Sequence, residues 1–495
     1  MTDQTASSRS QLRVFDVVKA LAFVGDLSMG QPTNYSLRTA WLATRLAQAA
    51  QLDAAACHTA CETALLRWAG CTANAGGFAE VFGDDIATRA AMLDGRTIDW
   101  LKPMEQAGGA GVVLQPLAQI HCEVSAEVGR MLGLAPATET ALRHIFEAWD
   151  GSGQPAHLQG DAVPMAVCVV SLAGDLEVLS RTHGTELALA LIGRYAGHRY
   201  PAWLASVATT HAAEWLAELE ASSPATLDTA LATPPMQRTT SAELIADVID
   251  LKLPWMMGFS RAVAATAAGA LARLTSDKSA HARIYRAGLI HGLGRAAVPN
   301  QIWNMTTPLP ESAWERLRLV PYWTARAAQW QGPLGEAAEL ASFAYERVDG
   351  SGYFRGARDQ ALSVEARVLA AAVAWVAMRA RRPWRAALSE DTAIKAIRDE
   401  VAAGRLCGEA VEALLSDGIG GAQRLPQTRD HGARLSPREV DVLRAVSRGA
   451  TNKETARELE LSPSTVATHL ESVFRKLGCT TRAAATLKAS ALGLL

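Results

Sequence analysis

Apolar residues recur along most of this chain at intervals of three and four. Leu37, Trp41, Leu42 and Leu46 fall on one face of a helix, and Val368, Ala371, Ala372, Trp375 and Met378 do the same far downstream. Little alternates with period two, so the pattern predicts an all-α protein built from helical bundles. The apolar runs at 163–174 and 368–378 are shorter than the roughly 20 residues a membrane span requires, and they read as buried helices. Two polar, Pro-bearing stretches interrupt the pattern: SSPATLDTALATPPMQRTTS at 222–241 and GIGGAQRLPQTRDHGARLS at 418–436. Both have linker composition. A chain of 495 residues is too long for one core. The predicted layout is a body at 12–221, a linker at 222–241, a second body at 242–418, a linker at 419–433 and a C-terminal segment at 434–495.

The two bodies repeat one another. IFEAWDGSGQP (145–155) aligns with AYERVDGSGYF (344–354), which pairs Glu147 with Glu346 and Asp150 with Asp349. Upstream, LLRWAG (65–70) aligns with LIHGLG (289–294), and YSLRTAWLA (35–43) with FSRAVAATA (259–267). The interval from Tyr35 to Arg67 equals that from Phe259 to His291. Equal spacing between separated anchors points to two copies of one fold. The first copy carries extra residues around 85–115, a Gly-rich stretch expected to be a loop. In both copies Asp-Gly-Ser-Gly is turn chemistry: glycine supplies positive φ, and Asp can bond its own backbone two residues on.

Composition narrows the class. Hydrophobic residues make up 49% and charged residues 20%, which excludes a disordered chain. The net charge of −2 carries no global nucleic-acid signal, so any DNA-binding part must be local. Seven scattered cysteines suit reduced thiols in the cytoplasm. Cys57 and Cys61 share a helix face but have no second pair, and they read as buried packing, not zinc ligands. The opening MTDQTASSRS lacks the apolar core of a signal peptide. The expectation is a cytoplasmic protein without a membrane segment or a cofactor.

YERVDGSGYFRG (345–356), together with HGLGRAAVP (291–299), resembles the HD-GYP family of cyclic-dinucleotide phosphodiesterases within the HD superfamily. The resemblance covers both bodies and is stronger in the second. It implies tandem HD-like helical bundles and, in the family itself, divalent ions held by His and Asp that activate water. At the family's ligand positions the second copy has Phe259, His291–Gly292, Val320, Ala344–Tyr345 and Val373. The first copy has Tyr35, Arg67–Trp68, His121, Ile145–Phe146 and Gly174. One imidazole per copy cannot hold a bimetallic centre, so no catalytic or metal-binding residue is expected and the chain reads as a non-enzyme. Two uses of the old pocket stay open. Its apolar and aromatic replacements fill it, or it admits an effector at His291, Arg295, Tyr345, Glu346, Arg347 and Asp349. Arg295 and Arg347 could meet phosphates, or they could pair with Glu346 or Asp349. Cyclic dimeric GMP enters as an effector only by family analogy.

The C-terminal segment carries three helix starts. Ser436-Pro437-Arg438-Glu439 is a capping box with Pro at N1, Thr451–Glu454 is a second box, and Ser462-Pro463 begins a third helix. Gly449 and Gly478 stand where glycines close helices. Val466, Leu470, Val473 and Leu477 mark the inner face of the third helix. SPRE, RGATNKE, SPSTVATHL and RKLG followed by TR closely resemble the LuxR/GerE-type helix-turn-helix domain. That resemblance implies double-stranded DNA as a partner, with Ser464, Ala467 and Thr468 on the turn of helix that faces base edges and Thr465 meeting phosphate. Lys453, Arg475, Lys476 and Arg482 supply local positive charge. His469 is expected to orient the helix. Ser464 and Ala467 stand where the family often has lysines, so a homodimer or a partner is expected to supplement affinity. The leading expectation is therefore a transcriptional regulator with a sensing or dimerising HD-like body. A phosphodiesterase coupled to DNA binding, or a protein-docking scaffold with a DNA-binding tail, are the alternatives.

Overall fold

The computed structural model describes residues 9–95, 101–416 and 435–495; the second expected linker, 419–433, lies outside the described residues. Helices dominate. Among the described residues the only strands are Gln11–Arg13 and Thr239–Ser241, which pair with each other. The chain divides into two compact units, Arg13–Thr239 and Thr240–Leu495, the latter joined by Met1–Leu12. No helix among the described residues is long and apolar enough to cross a membrane.

The first unit forms around the helix Val14–Ser28, whose residues are all buried. Helices Tyr35–Ala49, Ala54–Leu66, Ala110–Met131 and Met165–His183 carry most of the remaining core. The second unit uses Glu243–Asp250, Phe259–Leu274, Lys278–Ile290, Pro333–Ala341 and Val364–Arg379 in the corresponding roles. Each anchor pair predicted from spacing has the same local geometry. Ser36 donates through its backbone N and Oγ to Asp26, and Ser260 does so to Asp250. A Cβ on Gly70 would lie 2.3 Å from the carbonyl oxygen of His121, and one on Gly294 would lie 2.0 Å from that of Val320. Both glycines therefore admit the close backbone approach that sets His121 and Val320 at equivalent positions.

Two expectations fail on loops. Residues 222–241 are not a linker. Ser223 caps the helix Pro224–Leu231, Leu227, Leu231 and Met236 are buried, and Asp228 accepts from Lys19 at 2.6 Å. Here the prolines begin helices at N1, where a missing N–H costs nothing. The stretch at 85–115 is likewise helical over Asp85–Asp94 and Leu101–Gln106 and at the start of Ala110–Met131. Its glycines terminate helices: Gly95 is the left-handed C-cap of the first. Cys57 and Cys61 do pack as expected, with thiols directed to the carbonyls of Leu52 and Leu231.

Candidate ligand pocket and nucleic-acid interface

The Asp-Gly-Ser-Gly corners are superimposable in their bonding. Ser152 N and Oγ donate to Asp150 Oδ1 at 2.9 and 2.6 Å; Ser351 N and Oγ donate to Asp349 Oδ1 at 2.9 and 2.7 Å. Gly151 and Gly350 take φ of 84° and 82°. The retained glutamates staple the following loop. Glu147 accepts from the backbone N–H groups of Ala156 and Leu158, and Glu346 from those of Arg355 and Ala357. The final glycine is sterically obligatory in each copy, because a Cβ on Gly153 would sit 2.2 Å from Ala148 N, and one on Gly352 2.3 Å from Arg347 N. Glu346 and Asp349 are thus occupied in shaping this corner. Arg347 donates to the carbonyl of Glu346 at 3.0 Å, so neither expected carboxylate pairs with it.

His291, Arg295 and Tyr345 do converge, with partners that sequence reasoning did not name. Arg295 is 2% exposed and reaches Asp250 Oδ1 at 3.2 Å, not Glu346 or Asp349. Its Nη2 lies 2.6 Å from His291 Nε2, while His291 Nδ1 lies 2.6 Å from the Gly288 carbonyl. Guanidinium only donates, so Nε2 accepts and Nδ1–H donates to the carbonyl. Burial, and then the Arg295 charge, hold His291 well below its usual range, which keeps the imidazole neutral. The Asp250 carboxyl is pushed up to about 6 by burial, with Arg295 opposing the shift, and it is ionised at neutral pH. Phe259 lies under Arg295 at 5.0 Å, and Tyr345 closes the group 6.4 Å from His291.

Arg382 completes this cluster. It is 8% exposed and stacks on Phe259 at 4.7 Å and on Trp255 at 5.1 Å. Its Nη1 is buried without a hydrogen-bond partner. Burial, and next the Arg295 guanidinium, lower it to about 10, so it remains charged at neutral pH. The signal was present in sequence as four arginines within 379–385, the run RARRPWR, but a loop of that composition reads as solvated surface.

The first pocket is closed by its own replacements. Arg67 stacks 4.4 Å from the Trp68 ring, and a Cβ on Gly174 would lie 2.2 Å from its Nη1. The guanidinium thus fills the space beside the position where the family has an Asp. Tyr35, Trp68 and His121 are buried and Phe146 packs on them, with His121 4.7 Å from the Phe146 ring. Burial holds His121 near 3, and its Nε2–H donates to the Arg67 carbonyl at 2.8 Å. In both copies the surviving histidine has its nitrogens engaged by protein groups and no carboxylate beside it. Among the described residues no group of three His, Cys, Asp or Glu could hold a metal ion. The donor set of the HD family's ions does not fit these residues.

The C-terminal helices form as written. Both capping boxes close, at Ser436–Glu439 and Thr451–Glu454, and Ser462 accepts from Thr465 N. Gly478 is the left-handed C-cap of Pro463–Leu477. Val442, Val446, Ala456, Val466 and Leu470 make the core. Ser464, Thr468 and Arg475 lie exposed on the third helix; Thr465 and Ala467 are half-buried beside them. Lys453 is exposed at the start of the second helix. Lys476 is engaged instead within the domain, donating to both oxygens of Glu439 at 2.8 and 2.6 Å. Arg482 reaches Asn452 Oδ1 at 2.8 Å. Burial raises the Glu439 carboxyl, but the bonds from Lys476 and from the Ser436 backbone outweigh it and hold it at about 2.

Comparison with known proteins places these features. Residues 243–406 match the HD domain family, and residues 433–489 match the bacterial regulatory proteins of the luxR family. The chain therefore combines HD-type helical bundles with a C-terminal luxR-type helix-turn-helix domain. It is 26% identical over 414 residues to 3'3'-cGAMP-specific phosphodiesterase 3 of Vibrio cholerae serotype O1, covering 76% of this chain and 88% of that protein. The crystal structure of a cyclic GMP-AMP specific phosphodiesterase from V. cholerae shares the fold with a TM-score of 0.58 at 22% identity, covering 82% of this chain and 97% of that one. The last domain is 44% identical over 72 residues to the HTH-type transcriptional activator RamA of Corynebacterium glutamicum, covering 14% of this chain and 24% of that protein. One expectation is overturned here. The reading of the chain as a non-enzyme rested on its missing ligand residues, yet its similarity over most of its length is to proteins named as phosphodiesterases, and this points toward enzyme activity.

Two outcomes test the local geometry. Gly352→Ala is expected to cost roughly 2–4 kcal/mol, because the backbone beside it cannot withdraw; chemical denaturation of the full chain measures this, and a loss near zero refutes the steric argument. Glu439 has a folded-state pKa below its unfolded value, so its stabilisation is present above about 4.5 and disappears as pH falls toward 2. Glu439→Gln is expected to lower the stability of the C-terminal domain by about 1–3 kcal/mol at pH 7 and to flatten its acid dependence. Hydrogen exchange at pH 7 and pH 3 reads both effects.

Proposed function

We propose that this chain is a cytoplasmic, sequence-specific DNA-binding transcriptional regulator whose tandem HD-type body takes a cyclic dinucleotide, and that it acts as a homodimer. The observation that carries this reading is the exposed face of the helix Pro463–Leu477, with Ser464, Thr468 and Arg475 beside exposed Lys453. A helix of this kind enters the major groove while flanking cations meet phosphate. With Lys476 held by Glu439, few free cations remain, and pairing of two heads compensates. Two contacts between the second HD-type domain and the head support coupling. Asp247 accepts from Ser490 of the last helix at 2.9 Å, and a Cβ on Gly449 would lie 3.1 Å from Pro254. Asp247 and Pro254 flank Asp250 in sequence, so a ligand that shifts the pocket also strains its contact with the head.

Anisotropy with duplex fragments selected from genomic DNA tests the first part. Lys453→Ala is expected to weaken binding several-fold and to reduce the slope of log K against log salt by about 0.9. Wild-type protein that retains no fragment above background refutes DNA binding.

A second reading has its own support, because the relatives that span most of the chain are named phosphodiesterases. In it, the body hydrolyses the cyclic dinucleotide that it binds. Chromatography after incubation with 3'3'-cGAMP, with and without Mn²⁺, distinguishes the two. A linear product supports hydrolysis, whereas intact dinucleotide after saturating enzyme leaves ligand binding alone.

A further inference from the structure

The charge around Asp250 does not balance. Two guanidinium groups, Arg295 and Arg382, lie over the Phe259 ring, and of these Arg295 bonds the Asp250 carboxylate. The nearby Asp247 is matched by Arg261, which donates to both its oxygens at 2.6 Å. His291 is neutral, and its Nε2 already accepts from Arg295. Arg382 makes no ion pair among the described residues, and its Nη1 is buried without an acceptor. A buried cation with an unused donor calls for an anion, since burial removes the water that would otherwise serve both needs.

The surroundings also select the kind of anion. The Arg382 guanidinium lies over the rings of both Trp255 and Phe259. Trp255 is itself held by a hydrogen bond from Nε1 to Asn304 Oδ1 at 3.0 Å. Trp384, two residues beyond Arg382, is 52% exposed and meets Trp255 edge-on at 6.1 Å. Trp255 thus touches both the buried guanidinium and an exposed indole, which places a stacking face and an anion donor on either side of one ring. A nucleotide presents the matching pair, a base beside a phosphate. Inorganic anions would satisfy only Arg382 and leave the indole unused.

We propose that Arg382, with Trp255 and Trp384, forms a nucleotide-binding position in the second HD-type domain, where Arg382 receives the phosphate and Trp384 the base. This rests on the reading that the body takes a cyclic dinucleotide, and it assigns the phosphate to a guanidinium in place of a metal ion.

Calorimetry on the full chain in EDTA, with 3'3'-cGAMP, cyclic dimeric GMP and pyrophosphate as separate titrants, tests the assignment. Binding of a dinucleotide that weakens tenfold or more in Arg382→Gln, and several-fold in Trp384→Ala, supports it. Trp384 is exposed, so its replacement leaves folding intact and keeps the test decisive should Arg382→Gln unfold. Equal affinities in wild type and both variants overturn it, as does dinucleotide binding that EDTA abolishes and Mn²⁺ restores. Pyrophosphate binding lost in Arg382→Gln, with no dinucleotide binding, retains the anion site and rejects the dinucleotide. Silence of wild type toward all three titrants rejects the site.

Discussion

The second HD-type domain depends on the carboxylate of Asp250. It receives the backbone N–H and the hydroxyl of Ser260, which ties down the first turn of the helix Phe259–Leu274. The same carboxylate holds Arg295, and Arg295 holds His291. Remove the charge, and a buried guanidinium loses its counterion while a first-turn backbone N–H loses its acceptor. The first domain keeps only half of this arrangement. Asp26 takes the bonds from Ser36 but has no guanidinium against it, and burial raises its carboxyl well above the ordinary range. Arg67 has moved instead into the space beside Gly174. The two copies thus solve one problem differently. Each buries an arginine with one nitrogen lacking a partner, Arg67 Nε in the first and Arg382 Nη1 in the second, and the first stacks it against its own neighbouring tryptophan.

Much of this was legible in the residue pattern, because the informative features were local. Capping boxes at Ser436 and Thr451, the Gly478 closure and the Asp-Gly-Ser-Gly corners are all determined within five residues, and all formed as read. The repeat was legible for a different reason: equal spacing survives even when side chains do not. What could not be read was set by partners distant in sequence. Asp250 and Arg295 are 45 residues apart, and Lys476 and Glu439 are 37 apart. No spacing rule pairs them. The segment at 222–241 misled because proline and serine are as much helix-start residues as linker residues. The buried Leu227, Leu231 and Met236 decide between those readings only once packed.

The corner motif separates two roles that the family combines. Its Asp, Ser and glycines are satisfied by each other, and its Glu by backbone N–H groups further on. None of these bonds needs an ion or a substrate. The motif can therefore persist under selection for the fold alone, and its presence says nothing about chemistry. The similarity to phosphodiesterases over most of the chain argues from the opposite side, since it extends well beyond the corner. Activity must accordingly be judged at the pocket, where Phe259, Val320 and Tyr345 stand, and not at the motif.

The position of the pocket within its unit gives its charge a wider consequence. The segment 247–259 carries, in order, Asp247 against Ser490, Asp250 against Arg295, Pro254 near Gly449, and Trp255 and Phe259 around Arg382. Contacts to the DNA-binding head thus alternate with contacts to the pocket along one short stretch of chain. The loop after Val364–Arg379 behaves similarly. Arg382 points inward, while Arg381 lies near enough to Glu454 to assist the Thr451 bonds in holding that carboxyl low. Glu454 adjoins Lys453, an exposed cation of the head. An anion on Arg382 would neutralise the charge that now crowds Arg295, and both segments that frame it also approach the head. In a packed interior such a change would be passed on as a shift of whole segments, because neighbouring side chains leave little slack to absorb it.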